Sequence, residues 1–356
     1  MAHIAYVDHS FHQKSCSSAF LPEILRRHGH TVDVYWDHGW ERGEQVPLHT
    51  LVDYDALILF QITGSFLGLL CDLNTNITFV PMLDGYGITT GHALPRTYWR
   101  KFAGVKILNF SRTLHYIAIE NSLVSQCYQY YQPPLFESRA PQTGLHGFFW
   151  CRRPEDISWK HIRILIGETT FDSFHLHLVP DPGQPEPERP TKDEIMQHHM
   201  TISTGWFETK DEILQLQKKA NVFFAPRLEE GIGQAMLEAF SLGQCIVSPD
   251  TGTMNEYIVH GVNGLLYNPA DLRALSFENA VNLGQWGRES AITGRSHWQE
   301  LEQKLVEYIL TPSRLCYEQA LLPTRPPWIE RVCSHPITQN CKSKLRPFVR
   351  RLKQLT

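Results

Sequence analysis

Short apolar runs of strand length recur along the chain, each closed by a polar or glycine-containing cluster. In the first part they cover residues 4–8, 32–36, 56–60, 77–83 and 105–110, and later 174–179, 202–207, 221–225 and 244–248. Helical spacing lies between them. Residues 17–28 can form a helix with Gly29 as its stop, residues 210–220 another, and Ala235, Met236, Ala239 and Phe240 give one buried face to a helix that Gly243 ends. A short helix is expected over 253–259 and a long one over about 297–310. Strands alternating with helices predict parallel α/β sheets, whose ligand crevice lies beyond the carboxyl ends of the strands. Four of those ends are polar: Asp8-His9-Ser10, Gln61 through Ser65, Asp84-Gly85-Tyr86-Gly87 and Ser111-Arg112-Thr113.

The texture changes over 131–147, where Pro133, Pro134, Pro141, Gly144 and Gly147 suit a linker. The expected organisation is a first α/β domain over 1–137, a second over 138–312 and an extension over 313–356. At 356 residues the chain can bury two real cores. No run approaches the ~20 apolar residues of a membrane span, and the chain begins on a strand rather than a signal peptide, so a cytoplasmic protein is expected. The eight cysteines form no C-x-x-C pair, and Cys127 and Cys245 lie in apolar surroundings, so they read as reduced core residues. A net charge of −4 hides seven Lys or Arg and no acid from Arg331 onward. The acidic body argues against nucleic-acid binding. The basic tail over 342–353, with Leu345, Phe348, Val349 and Leu352 among its cations, suits either a peripheral contact with anionic lipid or a terminal helix with a solvated face.

The densest chemistry lies at 221–267, where strand, polar loop, helix, strand and second loop follow one another. Glu230 sits in the loop and Glu238 about five residues into the helix, ~8 Å deeper along the axis at ~1.5 Å per residue. That separation suits the two hydroxyl-bearing ends of a nucleotide sugar, with the amides of Gly231, Ile232 and Gly233 facing a diphosphate at the helix N-terminus. The plain alternative is that Glu229 and Glu230 complement the helix dipole and Glu238 is solvated. His9 and His12 have H-x-x-H spacing without a third ligand and read as a hydrogen-bonded loop pair. Asp53-Tyr54-Asp55 matches D-x-D but precedes its strand, at the wrong end of the sheet. No essential metal is expected.

The segments E-G-I-G-Q-A-M-L-E, A-F-S-L-G-Q-C-I-V-S, G-T-M-N-E-Y-I and G-V-N-G-L-L-Y together resemble the E-x7-E signature region of retaining GT-B glycosyltransferases, family 4-like enzymes of bacterial surface-polysaccharide and O-antigen type. The resemblance implies an α/β GT-B fold of two Rossmann-like domains facing an interdomain cleft. It also implies sugar transfer from a nucleotide diphosphate sugar to a glycan acceptor, which would be lipid-linked if the tail meets the inner face of the cytoplasmic membrane. Cofactors would be none beyond the nucleotide sugar. W-C-R-R-P-E-D-I-S-W-K resembles the basic segment that grips the donor diphosphate, implying Lys160 and one of Arg152 or Arg153, although Cys151 and His161 replace its glycines. Asp84 and His115 occupy places where related enzymes touch the transferred sugar or acceptor; the bland readings are a turn former and a backbone partner. The first loop departs from the family, with D-H-S-F-H-Q-K-S-C-S-S in place of a glycine pair, and Ser17 and Ser18 as substitutes at a helix start. A sugar-nucleotide epimerase or hydrolase of the same fold and a non-catalytic scaffold in a polysaccharide assembly complex are the alternatives.

Overall fold

The computed structural model describes residues 1–62, 76–86, 96–99, 102, 104–128, 131–137 and 143–313. The basic tail, Thr63 to Ser65, Gly87 and Pro141 lie outside them. Two sheets, each of six parallel strands, belong to one compact unit, Met1–Ser313.

The first lobe runs β1 (His3–His9), α1 (Phe11–Ser15), α2 (Phe20–Arg27), β2 (Thr31–Asp37), β3 (Ala56–Phe60), β4 (Ile77–Val80), α3 (Arg96–Trp99), β5 (Lys106–Asn109), α4 (Arg112–Glu120) and β6 (Ser125–Cys127). Its sheet order is β2-β1-β3-β4-β5-β6. The second runs β7 (His146–Trp150), α5 (Trp159–Ile166), β8 (Ser173–His177), α6 (Lys192–Gln197), β9 (Met200–Ser203), α7 (Lys210–Gln217), β10 (Val222–Phe224), α8 (Gln234–Ser241), β11 (Cys245–Pro249), β12 (Leu265–Tyr267) and α9 (Ala280–Leu310), with sheet order β12-β11-β10-β7-β8-β9. The continuous apolar runs follow from burial on both faces: every residue of β3, β4, β10 and β11 is buried.

Both orders are doubly wound, and each reverses direction once. In the first sheet the reversal lies between β1 and β3, in the second between β7 and β10. The loops leaving those strands splay apart and leave a crevice at the switch point. The two crevices hold His9, His12 and Gln61 in one lobe and Arg152, Arg153 and Arg227 in the other.

Several expected elements change extent. The first helix begins at Phe20 rather than near Ser17, because Cys16 takes a left-handed φ of 53° that separates α1 from α2. Ser17 and Ser18 therefore cap nothing; Ser18 is buried, and its carbonyl accepts from the Tyr6 hydroxyl at 3.4 Å. The segment 253–259 shortens to a single 3-10 turn, Met254–Glu256. β9 begins two residues before the expected 202. Helix α9 starts at Ala280, well before 297, because its glycines permit close packing. A Cβ on Gly284 would stand 2.3 Å from the Gly243 carbonyl oxygen, and one on Gly287 2.6 Å from Phe240. Further along α9, Trp298 is fully buried against Phe20, Phe110, Tyr128 and Tyr131, which fastens the helix to the first lobe. Cys151 and Cys245 are buried thiols, whereas Cys16 is exposed, not a core residue. Among the described residues no helix is long and apolar enough to cross a membrane.

Candidate functional site

The second lobe builds the site from three loops at the carboxyl ends of its strands. The β7 loop carries Arg152 and Arg153, the β8 loop Asp181, and the β10 loop Arg227, Glu230, Gly231 and Ile232. Asp84 reaches the same place from the loop after β4 in the first lobe. Arg227 bridges the lobes, its Nη1 donating to Asp84 Oδ2 at 3.2 Å and its Nη2 to Asp181 Oδ2 at 2.5 Å. Arg152 Nε donates to the other oxygen of Asp181 at 2.8 Å, and its guanidinium stacks on Trp150, 4.8 Å from the ring centre. Arg153 is looser. Its Nε lies 3.7 Å from Asp181 and makes no hydrogen bond, and its side chain is 35% exposed against 19% for Arg152.

The charges act on one another strongly. Burial pushes the Glu230 carboxyl up; Arg227 and Arg152 pull it down and Asp84 and Asp181 push it further up, with a net rise. For Arg227 burial lowers the pKa, but Glu230, Asp181 and Asp84 outweigh burial and raise it. Asp181 is the converse: burial raises it and the two arginines carry it below the ordinary range. Burial and the Arg227 charge lower Arg152. The cluster is therefore a web of three arginines and three carboxylates in which Glu230 is pushed toward neutrality and Asp181 away from it. Asp84 Oδ1 is buried without a donor.

The backbone holds Glu230 from two sides. Thr253 Oγ1 donates to the carbonyls of Glu230 at 2.7 Å and Gly231 at 3.2 Å, and Thr251 Oγ1 to that of Leu228. Gly231 is required by close approach, since a Cβ there would lie 2.7 Å from the Met82 sulfur of the first lobe. Gly233, at φ 71°, takes the left-handed conformation that starts α8. Ile232 is buried between them.

Of the other expected residues, Lys160, Glu238 and His115 lie on helices, and Asp53-Tyr54-Asp55 precedes β3. Lys160 is exposed in the first turn of α5, next to the capping box that Ser158 forms with His161; the Ser158 amide donates to His161 Nδ1 at 3.0 Å, which gives the histidine in place of glycine a structural task. Glu238 is buried in α8 rather than solvated, accepting from Gln234 Nε2 at 3.2 Å. Its charge reaches the Tyr131 hydroxyl, which burial and Glu238 together raise. His115 is not brought to the cluster: on α4 its Nδ1 pairs with Ser125 Oγ of β6 at 3.1 Å, and burial lowers its pKa. Asp53-Tyr54-Asp55 is structural. The Asp55 carboxylate accepts from the His3 amide at 2.7 Å and the Tyr54 hydroxyl donates to Asp33 at 2.7 Å.

Two members of the cluster escaped the sequence reading, Arg227 and Asp181. The loop 180–190 is expected to be too polar to pack, yet Asp181 is 8% exposed. Beside it a cavity of about 370 Å3 is lined by Pro180, Gly183, Gln184, Thr204 and the exposed Trp206, whose ring meets Trp150 edge-on at 5.8 Å. A larger cavity of about 960 Å3 lies between α9, the 256–263 loop and Gln132 and contains none of the clustered charges.

Residues 157–282 match the family model described as Glycosyl transferases group 1. No curated protein matches the chain in sequence. Among solved structures, Anabaena HepE in complex with UDP and glucose matches with a TM-score of 0.56 at 12% identity, over 86% of this chain and 100% of that one. Sucrose-phosphate synthase from Thermosynechococcus elongatus matches with a TM-score of 0.58 at 12% identity, over 86% and 100%. These likenesses show the fold, two parallel-sheet α/β lobes of GT-B type. The matched segment takes in Asp181, Arg227 and Glu230, and the chain is an enzyme of the glycosyltransferase class.

Proposed function

We propose that the protein is a retaining glycosyltransferase that moves a sugar from a nucleotide diphosphate sugar to a glycan acceptor in surface-polysaccharide synthesis. The observation that carries this reading is the Asp84–Arg227–Asp181–Arg152 web beside Glu230, at the switch point of the second sheet and facing the first lobe. Departure of a nucleoside diphosphate develops negative charge, which fixed cations stabilise more than they stabilise the ground state. Arg152 is held by Asp181, so Arg153, with its unbonded Nε, and Lys160, exposed in the first turn of α5, are the groups free to turn to the diphosphate. They take the place of a metal ion there. Glu230 orients the transferred sugar, Glu238 holds the ribose, and the amides of Gly231, Ile232 and Gly233 line the phosphates. Asp84 meets the sugar from the acceptor lobe. His115 has no such place.

Transfer proceeds by front-face attack. The acceptor hydroxyl forms the new C1–O bond as the C1–O bond to the diphosphate breaks, and a donor phosphate oxygen takes its proton. The HepE complex with UDP and glucose supports a uridine carrier as the first donor to try. A lipid-linked acceptor would suit a cytoplasmic enzyme resting peripherally on the membrane through its 342–353 tail.

Thermal stability against UDP, GDP, dTDP, CDP and ADP, each with and without EDTA, tests the reading. One nucleotide is expected to raise Tm by mass action, about 2.7 kcal/mol of stabilisation at a hundredfold excess over Kd, and EDTA is expected to leave that increment unchanged. No response to any of them overturns it. Donor consumption without an acceptor assigns the fold to a hydrolase or epimerase.

A further inference from the structure

The first lobe has a switch point of its own, between β1 and β3, and the donor reading leaves it unused. Asp8 ends the buried part of β1, His9 is its last residue and His12 lies in the first turn of α1, in the segment where the resembled enzymes carry a glycine pair. His9 Nε2 donates to Gln61 Oε1 at 2.8 Å, a residue at the end of β3, and His12 Nδ1 donates to Asp8 Oδ1 at 2.8 Å. The two imidazoles lie 3.9 Å apart, centre to centre. Those bonds fix both tautomers and leave lone pairs on His9 Nδ1 and His12 Nε2. His9 Nδ1 is buried with no donor in reach, and so is Asp8 Oδ2, on a side chain with no exposed surface. Buried acceptors normally find a donor. Here both orphans belong to residues of one cluster, Asp8, His9 and His12.

We propose that Asp8, His9 and His12 bind a divalent transition-metal ion of the zinc class. One ligand atom from each residue lies within 4.8 Å of the others. Ligands held about 2.0–2.2 Å from zinc stand roughly 3.4 Å apart, so the set closes when the ion takes the place of the proton between His12 Nδ1 and Asp8 Oδ1, that proton leaving to solvent, and the His9 ring turns its Nδ1 toward the ion. Two imidazoles and one carboxylate select zinc, cobalt or nickel over magnesium. Gln61 supplies the outer bond that orients a ligating histidine. Three protein ligands leave a fourth position of a tetrahedral ion for water. The ion orders the β1–α1 loop on the acceptor side and does not replace the arginines at the diphosphate.

Metal analysis after incubation with zinc and gel filtration, and visible absorption after loading with cobalt(II), test the site. About one equivalent of zinc and the intense d–d bands of four-coordinate cobalt are expected. Both are lost in His9→Gln and in His12→Gln at unchanged far-UV circular dichroism, and both are kept in His3→Gln, which removes a surface histidine paired with Asp33. No retained metal, or retention unchanged in the His9 and His12 variants, overturns the proposal and leaves a buried water between the orphaned atoms. Because the nucleotide increment in Tm is insensitive to EDTA while this metal is not, failure of one proposal is distinguishable from failure of the other.

Discussion

Under the proposed function, Glu230 carries opposite demands for stability and for catalysis. Its pKa is raised in the folded protein, chiefly by burial, so the folded state binds its proton more tightly than the unfolded chain does. Folding therefore gains from Glu230 below the unfolded value near 4.5 and loses that gain as pH rises through the higher folded value. Glu230→Gln is expected to raise Tm at pH 7–8, with the difference shrinking toward pH 4, while turnover falls about a hundredfold through the lost sugar contact. Melting curves across pH, paired with initial rates, check both halves; an unchanged rate removes the residue from the mechanism. Arg227 behaves otherwise. Truncating it to Ala leaves Asp84 and Asp181 facing each other's charge, at a cost of about 3 kcal/mol in urea unfolding. Glu230 was legible because a fixed spacing joins it to Glu238. Arg227 was not, since its partners lie 46 and 143 residues away. A local window shows only an arginine after a proline.

At the scale of elements, α9 shows how packing overrides propensity. Gly284, Gly287 and Gly294 in the first half of the helix conceal it from a periodicity reading, each costing about 1 kcal/mol against alanine. Contact with the Gly243 carbonyl and Phe240 offsets the first two. The second half, with Trp298, Leu305, Val306 and Ile309 buried at helical spacing, was legible. Its end rests on a residue that no helix-stop rule would select. Lys106 of β5 is wholly buried and its Nζ donates to the carbonyls of Tyr308, Ile309 and Thr311 at 2.6 Å each. An ammonium at a helix C-terminus satisfies orphan carbonyls and meets the negative end of the dipole. Lys106→Met is expected to cost about 2–4 kcal/mol by removing the charged donor that those carbonyls share. Hydrogen exchange should show the last turn of α9 opening before the rest of the helix. Uniform protection along α9 in the variant would remove the anchor from the account.

For the whole molecule, the two doubly wound sheets were legible because buried parallel strands read as apolar runs, whereas the approach of the lobes was not, being set by single contacts between distant loops. Beside the Arg227–Asp84 pair, Glu256 of the second lobe reaches the N-terminus of α4 in the first. Its two oxygens accept from the Arg112 amide at 2.8 and 2.9 Å, and the Ser111 hydroxyl adds a 3.3 Å bond. Gly231 against Met82 leaves no room for a side chain along the same seam, and Gly252 packs closely on Leu83 and Thr113. A carboxylate that caps a helix belonging to the other lobe stabilises only the closed arrangement. Losing a cap costs about 1 kcal/mol, which is roughly a fivefold change in the ratio of closed to open molecules. Glu256→Ala is therefore expected to increase the radius of gyration in small-angle scattering and to raise the donor KM several-fold, with a smaller effect on kcat once the donor itself draws the lobes together. Glu256→Gln keeps an acceptor for the Arg112 amide and should fall between the two. Scattering and KM that are the same in all three proteins would mean that closure rests on the Arg227–Asp84 pair and the glycine seam alone, and that the cap serves only α4.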